Sequence, residues 1–265
     1  MSDVLSIEVR NARRNFVAAR VCRNLSDMHL HDTFTVCLMR KGLIEFNVRD
    51  KVLRAKPGDV FVIHPFEVHW GGNPVDPIEY DVFYVGPELM NDWTRHAKHR
   101  DGFAQLAQPV IRDRSLTKPI FEAVDRTAHG AIDSDAEGQI ADAIANMFDT
   151  LQDGVRSTGL PLGVCRSIEE ACEIIHRNTG EEVNLEKLAS EVGVSRFHFS
   201  RLFRQVTGTT PSMYLRHYRL AQATRAILAG DSFAGAAIEA GFSDQAHMNR
   251  TFKSVYGFTP KSIAP

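Results

Sequence analysis

The chain has 265 residues, of which 43% are hydrophobic and 24% charged, and its formal net charge is −2. That is enough chain for two modest domains and an ordinary composition for a globular protein. No apolar run approaches the ~20 residues a membrane helix needs, and the opening stretch scatters charges where a signal peptide carries an apolar core.

Up to about Val85 the chain reads as short strands rich in β-branched and aromatic residues: Thr35–Met39, Leu43–Val48, Lys51–Arg54, Asp59–Ile63 and Glu79–Val85. Turn signals at Lys41-Gly42, Arg49-Asp50, Lys56-Pro57-Gly58 and Gly71-Gly72-Asn73-Pro74 separate them, which suggests a barrel or sandwich. From about Pro87 the period becomes helical, over Lys118–His129 and Ala136–Gln152. The apolar stripe of that segment predicts either packing onto the barrel or a dimer interface. Gly154–Gly163 reads as a linker, and helices follow to the end. Cys22, Cys37, Cys165 and Cys172 lack CxxC or zinc-type spacing and read as reduced thiols of a cytoplasmic protein.

Charge is unevenly spread. Cys165 onward carries 12 basic and 10 acidic residues, and the rest 19 and 23. Val192–Gly230 holds no acid but does hold Arg196, Arg201, Arg204, Arg216, Arg219 and Arg225. Gln245–Pro265 is also acid-free, with Arg250, Lys253 and Lys261. Such stretches suit a phosphate backbone, although charge alone also fits a solvated basic face.

An internal repeat carries more weight. Arg201-Leu-Phe-Arg-Gln-Val-Thr-Gly-Thr-Thr-Pro211 returns as Arg250-Thr-Phe-Lys-Ser-Val-Tyr-Gly-Phe-Thr-Pro260. Each copy follows a short helix ending at a glycine, Gly193 or Gly241. In the first copy Asn184 and Ser195 are candidate N-caps. Leu188, Phe199 and Phe203 face inward, and Arg196, Phe197, Ser200, Arg201 and Arg204 face outward. In the second, Phe242, Met248, Phe252 and Val255 face inward, leaving Gln245, Ala246, His247, Asn249, Arg250 and Lys253 available. A recognition helix in a major groove uses Arg on guanine edges, apolar groups on thymine methyls and Lys on phosphate. Arg201 and Arg250, the matched arginines, either hold the motif together or bind DNA. Ser212–Ala229 reads as one helix joining the two readers.

Over about Ile168–Pro260 these residues resemble the AraC family of bacterial transcription regulators, including its Gly241-Phe-Ser-Asp-Gln245 signature. Gly235 and Ala236 stand where that family has larger residues, and the chain closes on Ile263-Ala264-Pro265 where it commonly has Tyr-Arg. Together with Asp244 at the start of the second reader, these departures predict that the first motif reads bases and the second anchors.

His29-Leu30-His31 and the segment Pro57–His69 resemble the two cupin motifs, and the likeness to AraC-type effector domains covers about Ser26–Val85. Thr35 and Val36 stand where the metal-binding Glu would be. Three uses of the histidines stay open: a small-molecule pocket, structural roles, or a metal. The leading expectation is a polar effector held by His29, His31, His64, His69 and Trp70, with no cofactor, no metal and no catalytic residue.

The fold expected is α+β and multidomain. Residues 1–153 form a cupin-like β-barrel with helices, 154–164 a linker, and 165–265 an all-α double helix-turn-helix domain. The partners implied are double-stranded DNA, a small-molecule effector, a second copy of the chain, and RNA polymerase if the protein activates; no membrane is implied. The competing reading is a metal-dependent cupin enzyme fused to a DNA-binding tail, and a third is a constitutive DNA binder with a vestigial barrel.

Overall fold

The computed structural model describes residues 4–13, 16–23, 26–48, 51–71, 78–94, 106, 108–127, 132–151, 162–178 and 184–264. Ten strands and nine α-helices are assigned among them: β1 Val4–Arg13, β2 Phe16–Arg23, β3 Ser26–His29, β4 Phe34–Lys41, β5 Ile44–Val48, β6 Lys51–Ala55, β7 Val60–Ile63, β8 His69–Gly71 and β9 Ile78–Val85, then α1 Pro87–Trp93, β10 Val110–Ile111, α2 Arg114–Asp125 and α3 Ser134–Leu151. The helical half follows with α4 Leu162–Arg177, α5 Leu185–Glu191, α6 Arg196–Thr207, α7 Pro211–Leu228, α8 Phe233–Glu239 and α9 Gln245–Tyr256.

The strands form two antiparallel sheets, ordered β1-β2-β9-β4-β7-β10 and β3-β8-β5-β6. Alternation along β4 shows how the larger sheet is buried on both faces. Cys37 and Met39 point between the sheets, where they meet Phe46, Phe61 and Val82. Phe34, Val36 and Leu38 point the other way, onto Ile120, Ile140, Ile144 and Phe148 of α2 and α3. The apolar stripe of α2–α3 is therefore spent on the barrel, which decides one of the two uses left open by the sequence. Behind the barrel, buried Asp81 of β9 accepts from Arg20 Nε at 2.7 Å and Arg40 Nε at 2.5 Å. Arg40 also reaches Asp125 of α2 at 2.7 Å, so the same arginine ties sheet to helix.

In the helical half, local chemistry sets the element ends. Asn184, Ser195, Thr210, Ser232 and Asp244 each accept from a backbone N–H of the helix they precede. Gly193 and Gly241 take φ of +74° and +82°, the left-handed turn between paired helices that a side chain resists. Most of the segment read as a linker lies outside the described residues, and α4 begins inside it at Leu162.

Neither helix-turn-helix core is closed on itself. The first, built on Ile168, Leu188, Phe199, Phe203 and Tyr214, includes Leu30 and Val68 of the barrel. A Cβ on Gly208, at the end of α6, would lie 3.3 Å from Val68 Cβ, so the barrel passes close to that backbone. The second core, built on Leu220, Ile227, Ala236, Met248 and Phe252, includes Val17 of β2. No helix among the described residues is long and apolar enough to cross a membrane.

Candidate nucleic-acid interface and interdomain cavity

The two readers keep their polar faces free. On α6, Phe199 and Phe203 are fully buried, while Arg196, Phe197, Arg201 and Arg204 are exposed and Ser200 half-buried. Phe197 is 88% exposed, which costs solvation unless a partner covers it. On α9, Gln245, Ala246, Arg250 and Lys253 are exposed, and His247 and Asn249 are half-buried. His247 Nδ1 lies 3.2 Å from Ser243 Oγ, and its ring meets Phe242 edge-on. Arg201 and Arg250 both stand clear of their cores; Arg201 Nη2 lies 3.2 Å from His198 Nδ1. Arg196 faces Glu186 at 3.5 Å, an exposed pair worth little.

Two sequence-level weaknesses of the second motif look different in three dimensions. Asp244 is the N-cap of α9, accepting from His247 N at 2.7 Å. That hydrogen bond, followed by the one from Ser243, holds its carboxyl below the usual range. Ala236 and Ala237 are completely buried, and α8 is seven residues long, as is α5. Small side chains here permit close packing on α7 rather than melting the helix.

The five residues singled out for an effector are not gathered at one cavity. His31 and His69 are buried with ring centroids 5.2 Å apart, and both line a small cavity of about 50 Å³ inside the barrel. His64 instead takes the backbone N–H of Leu106 on Nε2 at 3.3 Å and packs on Phe34. Trp70 leans on the core of the first motif. His29 ends β3, and its side chain lies outside the described residues. No group of three metal-type ligands occurs among the described residues.

What the sequence did not show is the contact between barrel and readers. Arg225 of α7, counted above with the DNA-facing arginines, donates to the buried carboxylate Asp32. Burial pulls the Arg225 pKa down, but Asp32 outweighs it and the net shift is upward. Tyr256, at the end of α9, stacks on His31 with centroids 5.1 Å apart and meets Tyr84 edge-on. Burial foremost, then Asp32, raises its phenol pKa. Val255 closes the barrel cavity. Under the first motif, Phe66 adopts φ +60°, unusual for a bulky residue, and lies against His176 and Tyr214. His217 of α7 is buried on the same side; burial first, then Arg216 and His69, push it down to about 3. On the far side of the Tyr256–His31 stack lies a larger cavity of about 330 Å³ between the domains.

A barrel with a cavity, docked on two exposed recognition helices, is the architecture of a ligand-binding domain joined to a DNA-binding one. The profile of the AraC-like ligand binding domain matches residues 16–154, and that of a helix-turn-helix domain matches residues 188–264. The chain belongs to the AraC family of transcription regulators. An HTH-type transcriptional regulator of Bacillus subtilis, YbfI, is 25% identical over 222 residues, covering 83% of this chain and 80% of that one. The bifunctional transcriptional activator and DNA repair enzyme Ada of Escherichia coli is 33% identical over 96 residues, 36% of this chain and 27% of Ada. Among solved structures, apo ToxT of Vibrio cholerae superposes with a TM-score of 0.59 at 11% identity, over 95% of this chain and 97% of that one, a likeness of fold.

Proposed function

We propose that this AraC-type regulator reads DNA with Arg196, Phe197, Ser200, Arg201 and Arg204 of α6 and with Gln245, Ala246, His247, Asn249, Arg250 and Lys253 of α9. A small molecule held on the barrel side controls that reading. The observation that carries it is the Tyr256–His31 stack beside the Asp32–Arg225 pair, which joins the end of the second reader to the barrel. A ligand that favours one arrangement of this contact over another shifts how the readers are presented. Of the five residues named for an effector, His31 and His69 support that role by lining the barrel cavity beside Tyr84 and Val255. His64 and Trp70 act through packing.

Residues 1–153 are the effector unit, 154–164 the connection and 165–265 the DNA-binding unit. The protein works in the cytoplasm without a catalytic step. A fatty acid is bound in a ToxT structure, which is precedent for effector binding on this fold and not an identification of the ligand. RNA polymerase is the further partner if the protein activates. A pairing of two copies uses a surface other than the covered stripe of α2–α3, and sedimentation over a concentration range tests it.

The test of the main reading is selection of binding sites from random duplexes by the full chain, followed by Arg196→Ala. A consensus is expected, with Arg196→Ala costing ~1–3 kcal/mol on the consensus and far less on random DNA. Equal losses on both, or no consensus, sink the reading.

A further inference from the structure

The cavity between the domains has a chemistry of its own. Its volume of about 330 Å³ is in the range of small-molecule sites and roughly twice the ~150 Å³ that admits benzene. Phe16 and Tyr84 of the barrel form one wall, and Phe252 and Tyr256 of α9 the other. Among the described lining residues the charged groups are Asp32, Glu88 and Arg225. They answer one another: Arg225 donates to Asp32, and Glu88, engaged in its own right, acts on the same guanidinium.

This arrangement discriminates between ligands. An ion of either sign would leave its hydration for a mostly apolar wall, where the fixed charges already face each other. A neutral ring loses little on leaving water and gains contact with the rings of both walls. A ligand with many hydroxyls fits poorly, because most of them would find no partner. What the lining does offer is Asn91 of α1, an exposed and uncharged amide that both donates and accepts. It suits a single hydroxyl or carbonyl carried at one end of an apolar body.

We propose that this cavity binds a small neutral aromatic molecule, with its ring system between the aromatic walls and one hydroxyl or carbonyl at Asn91. The inference rests on the reading of the chain as a ligand-controlled regulator and adds the class of ligand and the way it acts. Because α9 supplies one wall and the barrel the other, occupancy changes how the second reader sits on the barrel.

The experiment titrates the full chain at neutral pH by calorimetry with indole-3-ethanol, tryptamine and indole-3-acetate, which share one ring system and are neutral, cationic and anionic. The alcohol is expected to bind about tenfold tighter than either ion. Asn91→Ala, at an exposed position on α1, is expected to weaken the alcohol by roughly threefold and to leave 3-ethylindole, which lacks the hydroxyl, unchanged. Leu228→Trp fills the cavity without touching a charge and is expected to abolish binding of the alcohol. Either ion binding as tightly as the alcohol overturns the assignment of a neutral ligand. Alcohol binding indifferent to Asn91→Ala overturns the placement of its polar group. Alcohol binding indifferent to Leu228→Trp, or no alcohol binding at all, overturns the site. Measuring DNA affinity in parallel separates the two levels. Alcohol binding with unchanged DNA affinity supports the site and removes the regulatory reading, whereas DNA affinity that answers a different ligand while the alcohol does not bind removes the site and spares that reading.

Discussion

The two helix-turn-helix motifs are built from one repeat and put to different uses at one position. Thr207, in the first, turns its hydroxyl back to Phe203 O at 2.8 Å and finishes its own helix. Tyr256, its counterpart in the second and the last residue of α9, stacks on His31 of the barrel. The first motif meets the barrel through strained Phe66 and through Val68, close to Gly208. The second adds an ion pair and borders both cavities. A repeat fixes a fold, but one changed side chain gives the second copy a ring contact with the barrel that the first lacks at the matched position. Both copies touch the barrel, the first through apolar packing and the second through a ring stack beside an ion pair.

The largest test of that difference is Tyr256→Ala, which removes a buried aromatic from the contact and is expected to cost ~3–5 kcal/mol in unfolding stability. Thr207→Ala, at the matched position, is expected to cost only about 1 kcal/mol. Denaturant midpoints of the two variants compare the copies directly, and equal losses would erase the distinction.

A pH series addresses α7, which links the motifs. His217 sits near 3 in the folded chain against an ordinary 6.5. Below 6.5 the unfolded state takes a proton that the folded state refuses, so stability falls as pH drops through that window, by up to ~1.4 kcal/mol per unit. Above 6.5 this group contributes no slope. His217→Leu is expected to flatten the profile between pH 6.5 and about 3, and an unchanged slope would show that His217 is not the group responsible.

Smaller effects sharpen the readers themselves. Ser195→Ala removes the cap of α6 and is expected to cost ~1 kcal/mol. Asp244→Ala is expected to loosen α9 more than that, since its cap bond is 2.7 Å against 3.4 Å for Ser195. Lys253→Ala is expected to weaken all duplexes alike and lower the salt slope of binding by ~1. A loss confined to one sequence would make Lys253 a base contact.

The recognition helices, the caps of the first motif, the inward aromatics and the turn glycines were legible in the sequence, whereas Asp244, the cap of α9, was read as a weakness. Each depends on residues within one or two helical turns of each other, where spacing dictates which side chains share a face. Five strands of the barrel, β4, β5, β6, β7 and β9, were legible too, whereas β1, β2, β3, β8 and β10 fell outside the segments the pattern marked. The covered face of α2–α3 was visible only as a stripe with two uses.

What the sequence could not determine was which way the barrel faces the readers. Arg225 looked like one more arginine of a DNA-facing stretch, and the structure pairs it with Asp32, 193 positions away. The histidines looked like one set, and the structure divides them among a cavity, a backbone bond and an interface. Local pattern specifies helices because their neighbours lie three and four residues apart. The partner of a long-range charge or ring is fixed only when two domains meet, and that meeting is where the Asp32–Arg225 pair, the Tyr256–His31 stack and the cavity between the domains are built.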